Sequence, residues 1–221
     1  MADGKSSSLN KRILSALVLA PVTMVLIYLG GIPFICMILV CAVLILREWV
    51  RMAKLGLHYM RDCILGVTYV ILSGGAMIDL RLRHDETGLF LLVALLLVVW
   101  ASDIGAYVFG KTIGGPKMAP SISPNKTWAG MAGAMLFPAV TLAIMIAAVP
   151  MAMNAIITAF IAGALFGVVG QAGDLLISKF KRRVGVKDTG ALIPGHGGLL
   201  DRADSLMLVA PVFLLAYVLW L

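Results

Sequence analysis

Charge is what this chain lacks most. Only 13% of its 221 residues are Asp, Glu, Lys or Arg, and 61% are hydrophobic. Soluble domains are about 25% charged and about 45–50% apolar. With a mean hydropathy of +1.02, both departures exclude an ordinary water-soluble domain and point to an integral membrane protein. Cysteine is scarce too: Cys36, Cys41 and Cys63 lie in or beside apolar runs and none forms a C-x-x-C pair, which argues against a zinc site or a disulfide framework. No internal repeat or low-complexity tract is evident. The first apolar run, from Ile13 to Leu29, follows Lys11 and Arg12 but has no small-residue cleavage site leading into a polar chain, so it reads as a retained span and not as a signal peptide.

What is abundant is long apolar sequence. A span needs about 20 mainly apolar residues, and seven segments qualify approximately: 13–29, 32–46, 63–79, 88–109, 129–149, 152–176 and 204–221. The expected architecture is an all-α polytopic membrane protein of about seven helices, forming a single membrane domain over 1–221. Residues 1–100 supply N-terminal helices and 101–221 a catalytic region with polar loops at 110–128 and 177–203. With the N-terminus in the cytoplasm, the cytoplasmic segments hold sixteen of the eighteen Lys and Arg, leaving Arg81 and Arg83 outside. That bias predicts N-in, C-out, and it accounts for the net charge of +7 without nucleic acid. Arg47, Arg51 and Lys54 read as headgroup anchors.

Against this background the few acids stand out. Asp103, Asp174, Asp201 and Asp204 fall at the cytoplasmic ends of the fourth, sixth and seventh predicted spans. A charge inside a membrane helix costs about 2.5–3.5 kcal/mol at its centre and less near its end. Asp201 and Asp204 are three apart, on one face of the last helix if it begins near Leu200. They either complement its dipole, with Asp204 or Ser205 as cap, or hold a cation. Asp174 sits at the unfavourable end of its helix and needs a lysine or a metal ion as compensation. Beside these acids runs Lys179, Lys181, Arg182, Arg183 and Lys187. Acids that hold a cation next to bases that hold anions match what a Mg-nucleotide site requires. The GHGG stretch, 195–198, supplies a turn whose backbone N–H groups can approach an anion. His196 within it is an acid or base, a phosphate donor or a loop residue. In the other loop, SPNKTW at 123–128 reads as a helix entry marked by Pro124 and Thr127, with Lys126 aimed at phosphate and Trp128 at the membrane interface. Asp103 faces this polar region or pairs with a lysine.

Taken together, SKFKRRVGVKDTGALIPGHGGLLDRADS, 178–205, resembles the signature of the phosphatidate cytidylyltransferases, or CDP-diacylglycerol synthases. The matching positions are Ser178, Lys181, Arg182, Lys187, Asp188, Pro194, His196, Gly197, Gly198, Asp201, Arg202 and Asp204. DIGAYVFGK, PSISPNKTWAG and GQAGDLLISKFKR extend the resemblance over about residues 100–205, with Ala129 where the family often has Glu. The resemblance implies transfer of a cytidylyl group from CTP to phosphatidic acid in phospholipid biosynthesis, giving CDP-diacylglycerol and pyrophosphate. The alternatives are another CTP-using lipid or polyprenol phosphotransferase, and a transporter. It also implies Mg²⁺ with a monovalent cation such as K⁺, a homodimer, and a bacterial inner membrane with the site on the cytoplasmic face. On this reading Asp174, Asp201 and Asp204 hold metal. Asp201, Asp204, Lys181, Lys187, Arg202 and His196 carry the chemistry. Ser123, Lys126, Thr127, Ser178, Arg182, Asp188, Gly197 and Gly198 bind substrate.

Overall fold

The computed structural model describes residues 17–83, 85–149, 153–192 and 197–220. Seven apolar helices run through it. They are α1 (Leu17–Leu29), α2 (Gly31–Ala53), α3 (Tyr59–Leu82), α4 (Asp85–Thr112), α5 (Trp128–Ala147), α6 (Ile156–Arg183) and α7 (Leu200–Trp220), with a short 3-10 turn, Met153–Ala155, leading into α6. Six of them are long and apolar enough to cross a membrane, and α1 is shorter. The polytopic all-α expectation holds.

Two details differ from the sequence reading. The segment 110–128 contains an antiparallel hairpin of β1 (Lys117–Ala119) and β2 (Ser123–Thr127). Pro124 therefore lies in a strand, and the helix entry falls at Thr127, whose hydroxyl accepts from Gly130 N at 3.0 Å as the N-cap of α5. Helices α2 and α6 also run past their predicted ends, so Arg47, Glu48 and Arg51, and likewise Lys179 to Arg183, are helical and not in loops. Lys and Arg in the last turn of a helix suit its negative end.

The chain divides into two compact units. The first comprises residues up to Leu89 and Lys181–Ala203, the second Phe90–Phe180 and Asp204–Leu221. In the first, α2 buries Phe34, Ile38, Ile45, Trp49 and Met52, spaced by three, four and seven, on one stripe. The Trp49 indole lies against Gly66 of α3, where a Cβ would overlap it, and donates to the Asp62 carbonyl at 2.8 Å. Arg81 is no outer-loop charge. It is buried in the last turn of α3 and donates to the carbonyls of Ile27 and Tyr28, at 2.7 and 2.8 Å, at the end of α1. Those carbonyls have no partner within their own helix, and a guanidinium is the right charge for them.

The second unit is held by close backbone approach. Gly105 of α4 meets Gly133 of α5, and Gly167 of α6 lies on Ala134 of α5, in each case with no room for a Cβ. Apolar burial drives little helix association where lipid is equally apolar, so small residues that let backbones touch replace it. Around these crossings Leu92, Leu95, Val98, Ile177 and Val209 are fully buried, and Phe166 stacks on Phe213 with centroids 5.0 Å apart. Outward-facing residues such as Ile144, Leu165 and Leu215 are apolar and exposed, as lipid contact requires.

Candidate functional site

In the second unit a cavity of about 220 Å³ opens among Asp103 and Tyr107 of α4, Asn125 and Lys126 of β2, and Gln171 and Asp174 of α6. Lys126 is its hub. Its ammonium lies 2.7 Å from Asp174 Oδ2 and 2.8 Å from Gln171 Oε1. The other oxygen of Asp174 accepts from Ser178 Oγ, one turn along α6, at 3.1 Å. The compensation that Asp174 demanded is thus a lysine. Asp103 lies within electrostatic reach of both Asp174 and Lys126 but makes no hydrogen bond among the described residues. One ammonium therefore faces two carboxylates, leaving the pocket a net negative charge. Of the expected substrate residues of this unit, Lys126 and Thr127 line the cavity, Thr127 with its hydroxyl already used as a cap. Ser178 reaches it through Asp174, and Ser123, in β2, does not line it.

In the first unit the signature folds around Asp201, in the first turn of α7. Its Oδ1 takes Lys181 Nζ at 2.7 Å. Its Oδ2 accepts from Thr189 N at 2.9 Å, Thr189 Oγ1 at 3.0 Å and Gly198 N at 3.1 Å. The Asp201 side chain is only 8% exposed, so Lys181, two amides and a Thr189 hydroxyl shared with Glu48 hold a nearly buried carboxylate. Gly197 has φ 85°, a left-handed conformation that favours glycine, and a Cβ on Gly198 would overlap the Thr189 hydroxyl. Two adjacent glycines are thereby explained by a turn and a close approach. Lys187 and Asp188 are exposed in the loop, and Arg182, in the last turn of α6, and Arg202, in the first turn of α7, are exposed as well. Arg182 donates to Val186 O at 3.3 Å, and Arg183 pairs with the buried Asp62 at 2.6 Å. His196 and Pro194 lie outside the described residues, as does His84.

The capping of α7 differs from expectation. Asp204 is in the second turn, in the second unit, and its Oδ1 accepts from Ser205 N at 2.8 Å. The first amides of the helix go instead to Glu48 of α2, which accepts from Leu199 N at 3.0 Å and Leu200 N at 2.9 Å. Glu48, Thr189 and Gln171 were not anticipated. Glu48 carried one signal, a carboxylate beside an apolar run; Thr189 and Gln171 carried none.

Among the described residues no three of His, Cys, Asp and Glu are grouped closely enough to hold a metal ion alone. Mg²⁺ does not require such a group. It is commonly bound by one or two carboxylates with waters and substrate phosphates, and Asp103 with Asp174 in one net-negative pocket fits that chemistry.

Residues 57–220 match the cytidylyltransferase family. A protein of Rickettsia bellii named phosphatidate cytidylyltransferase is 36% identical over 217 residues, covering 95% of this chain and 91% of its own. Proteins of the same name from Brucella melitensis and Staphylococcus haemolyticus are 32% and 41% identical, over 95% and 68% of this chain and 93% and 56% of theirs.

Proposed function

This chain belongs to the cytidylyltransferase family, and from that premise we propose that it transfers a cytidylyl group from CTP to phosphatidic acid, giving CDP-diacylglycerol and pyrophosphate. It is a nucleotidyltransferase built on membrane helices. The observation that carries the chemical reading is the gathering of Asp103, Asp174 and Lys126 in one pocket.

A phosphatidate oxygen attacks the α-phosphorus of CTP. The new P–O bond forms as the α–β bridge breaks, and pyrophosphate leaves with the bonding electrons. The attacking phosphate is already anionic, so no strong base is needed. What the site must supply is positioning and offsetting charge. Bound Mg²⁺ supplies Lewis acidity toward phosphoryl oxygens. Of the carboxylates assigned to metal, Asp174 fits best, because its partners are one ammonium and one hydroxyl and it lines an open cavity. Asp103 is the second carboxylate there, and Asp204 belongs to the same unit. Lys126, released from Asp174, is placed to contact a phosphate. Asp201, held by Lys181 and the amides of Thr189 and Gly198, organises the signature turn. The exposed Lys187 of the loop, Arg182 at the end of α6 and Arg202 at the start of α7 are the bases that receive phosphates, Arg in bidentate fashion. Asp188, Gly197 and Gly198 shape the loop that meets substrate, and the resemblance adds His196, outside the described residues, to the chemistry.

The placement follows from the substrates. One is soluble and the other carries its phosphate at headgroup depth, so the site belongs at the cytoplasmic face of a bacterial inner membrane. The distribution of Lys and Arg supports this. A monovalent cation such as K⁺ and a homodimeric state complete the proposal on the strength of the resemblance.

The test uses purified protein with Mg²⁺, phosphatidic acid and CTP labelled at either the α- or the γ-phosphorus. Label from the α-position in organic-soluble product is expected. Lipid labelled only from the γ-position identifies a kinase, and no transfer defeats the reading. Asp201→Asn is expected to abolish turnover while the protein still inserts and purifies.

A further inference from the structure

Glu48 is a buried carboxylate, 7% exposed, just after the apolar run of α2 and between Arg47 and Arg51. No Lys or Arg lies within ion-pair distance of it among the described residues. Its stabilisation comes from donors of the signature segment, more than 140 positions away in sequence. They are Leu199 N on Oε1, and Leu200 N and Thr189 Oγ1 on Oε2, all at 2.9–3.0 Å. Two of these are N-terminal amides of α7, which the helix itself cannot satisfy. The Glu48 carboxylate also fills the space beside two loop glycines. A Cβ on Gly190 would come within 2.8 Å of Oε1, and one on Gly198 within 2.6 Å of Oε2.

The same groups hold Asp201. The Thr189 hydroxyl lies 3.0 Å from both Glu48 Oε2 and Asp201 Oδ2. Gly198, whose amide donates to Asp201, directly precedes the two amides that donate to Glu48. Glu48 and Asp201 are therefore coupled through one hydroxyl and three consecutive peptide groups. We propose that Glu48, acting through Thr189, is a positioning residue that sets the first turn of α7 and the orientation of the Asp201 carboxylate. It touches no substrate. Two amides donate to Glu48 outright, and the single proton of the Thr189 hydroxyl is shared between Glu48 and Asp201. The functional half of this inference rests on the cytidylyl-transfer reading; the clamp itself does not.

The experiment compares Glu48→Gln, Thr189→Ala and Thr189→Ser with wild type, as full-length protein in detergent. Glu48→Gln turns an NH2 toward N–H donors, which breaks the clamp at nearly constant volume. Hydrogen exchange of the backbone amides at 198–201 is expected to accelerate about tenfold while α3 is unaffected, and kcat per folded molecule to fall about 10–100-fold with KM for CTP changed less than about twofold. Thr189→Ala moves both readouts in the same direction, and Thr189→Ser restores them. The inference is overturned by unchanged exchange, by faster exchange with wild-type kcat, or by activity lost only in proportion to folded protein. If Glu48→Gln does not fold, the Thr189 pair decides. If wild type incorporates no label, the cytidylyl-transfer reading fails, and the exchange arm still decides whether Glu48 holds the turn.

Discussion

Replacing Lys126 by Met separates two roles that a simple loss of activity would merge. The ammonium is 2.7 Å from Asp174 Oδ2, so a divalent cation arriving at that oxygen competes with it. Opposite unit charges at about 4 Å attract by about 1 kcal/mol in water and about 4 kcal/mol at an effective dielectric of 20, and by about half as much again at this shorter distance. The two side chains are 16% and 31% exposed, which places this pair toward the lower, solvent-screened end. Removing the competitor should therefore tighten Mg²⁺ binding to nucleotide-free protein about tenfold, equivalent to about 1.4 kcal/mol. The same substitution removes a phosphate contact and should lower kcat/KM for CTP about 10–100-fold, since hydrogen bonds to charged groups contribute about 1.5–3 kcal/mol. It also leaves Gln171 Oε1, in a residue only 4% exposed, without its donor, so thermal stability should fall modestly. Calorimetric titration of Mg²⁺ into detergent-solubilised protein, beside initial rates with labelled CTP, reads the two effects separately. Opposite signs are the expectation. Weaker Mg²⁺ binding in Lys126→Met would refute the competition argument, and an unchanged kcat/KM would remove Lys126 from the phosphate site.

Two further substitutions test the scaffold. Gly133→Val would drive a side chain into the backbone at Gly105; overpacking of this kind costs about 1–3 kcal/mol or more, so folded yield in detergent should drop sharply, whereas Gly75→Ala, which meets nothing within 4 Å, should be tolerated. Arg81→Met strips the donor from two carbonyls of α1 and should lower stability by about 1–3 kcal/mol, with KM for CTP unchanged; a changed KM would show that Arg81 serves the site.

The helices were legible because a membrane imposes one rule, about 20 apolar residues in a row, and the chain obeys it. Their ends were less so. Lys179 to Arg183 looked like a loop by charge, yet basic residues belong at a helix C-terminus, and α6 continues to Arg183. The hairpin was missed because SPNKT has no alternating polarity and only one β-branched residue, Thr127, to announce a strand; pairing with 117–119 forms it. Local spacing singled out Asp174, Asp201 and the bases as candidates, since their company is within a few turns of sequence. The partnerships were not local. Lys126 reaches Asp174 across 48 positions and Glu48 reaches Leu200 across 152. Spacing cannot encode such pairs, and only the folded chain brings them together.

Arg81 has a consequence for biogenesis. The carbonyls of Ile27 and Tyr28 wait for a donor that lies 54 and 53 residues downstream. A nascent first helix entering the bilayer carries an unfinished end until the third helix has been synthesised and delivered beside it. Helix α1 is thus locked only once α3 exists, and α1 to α3 form a three-helix group closed by a single guanidinium.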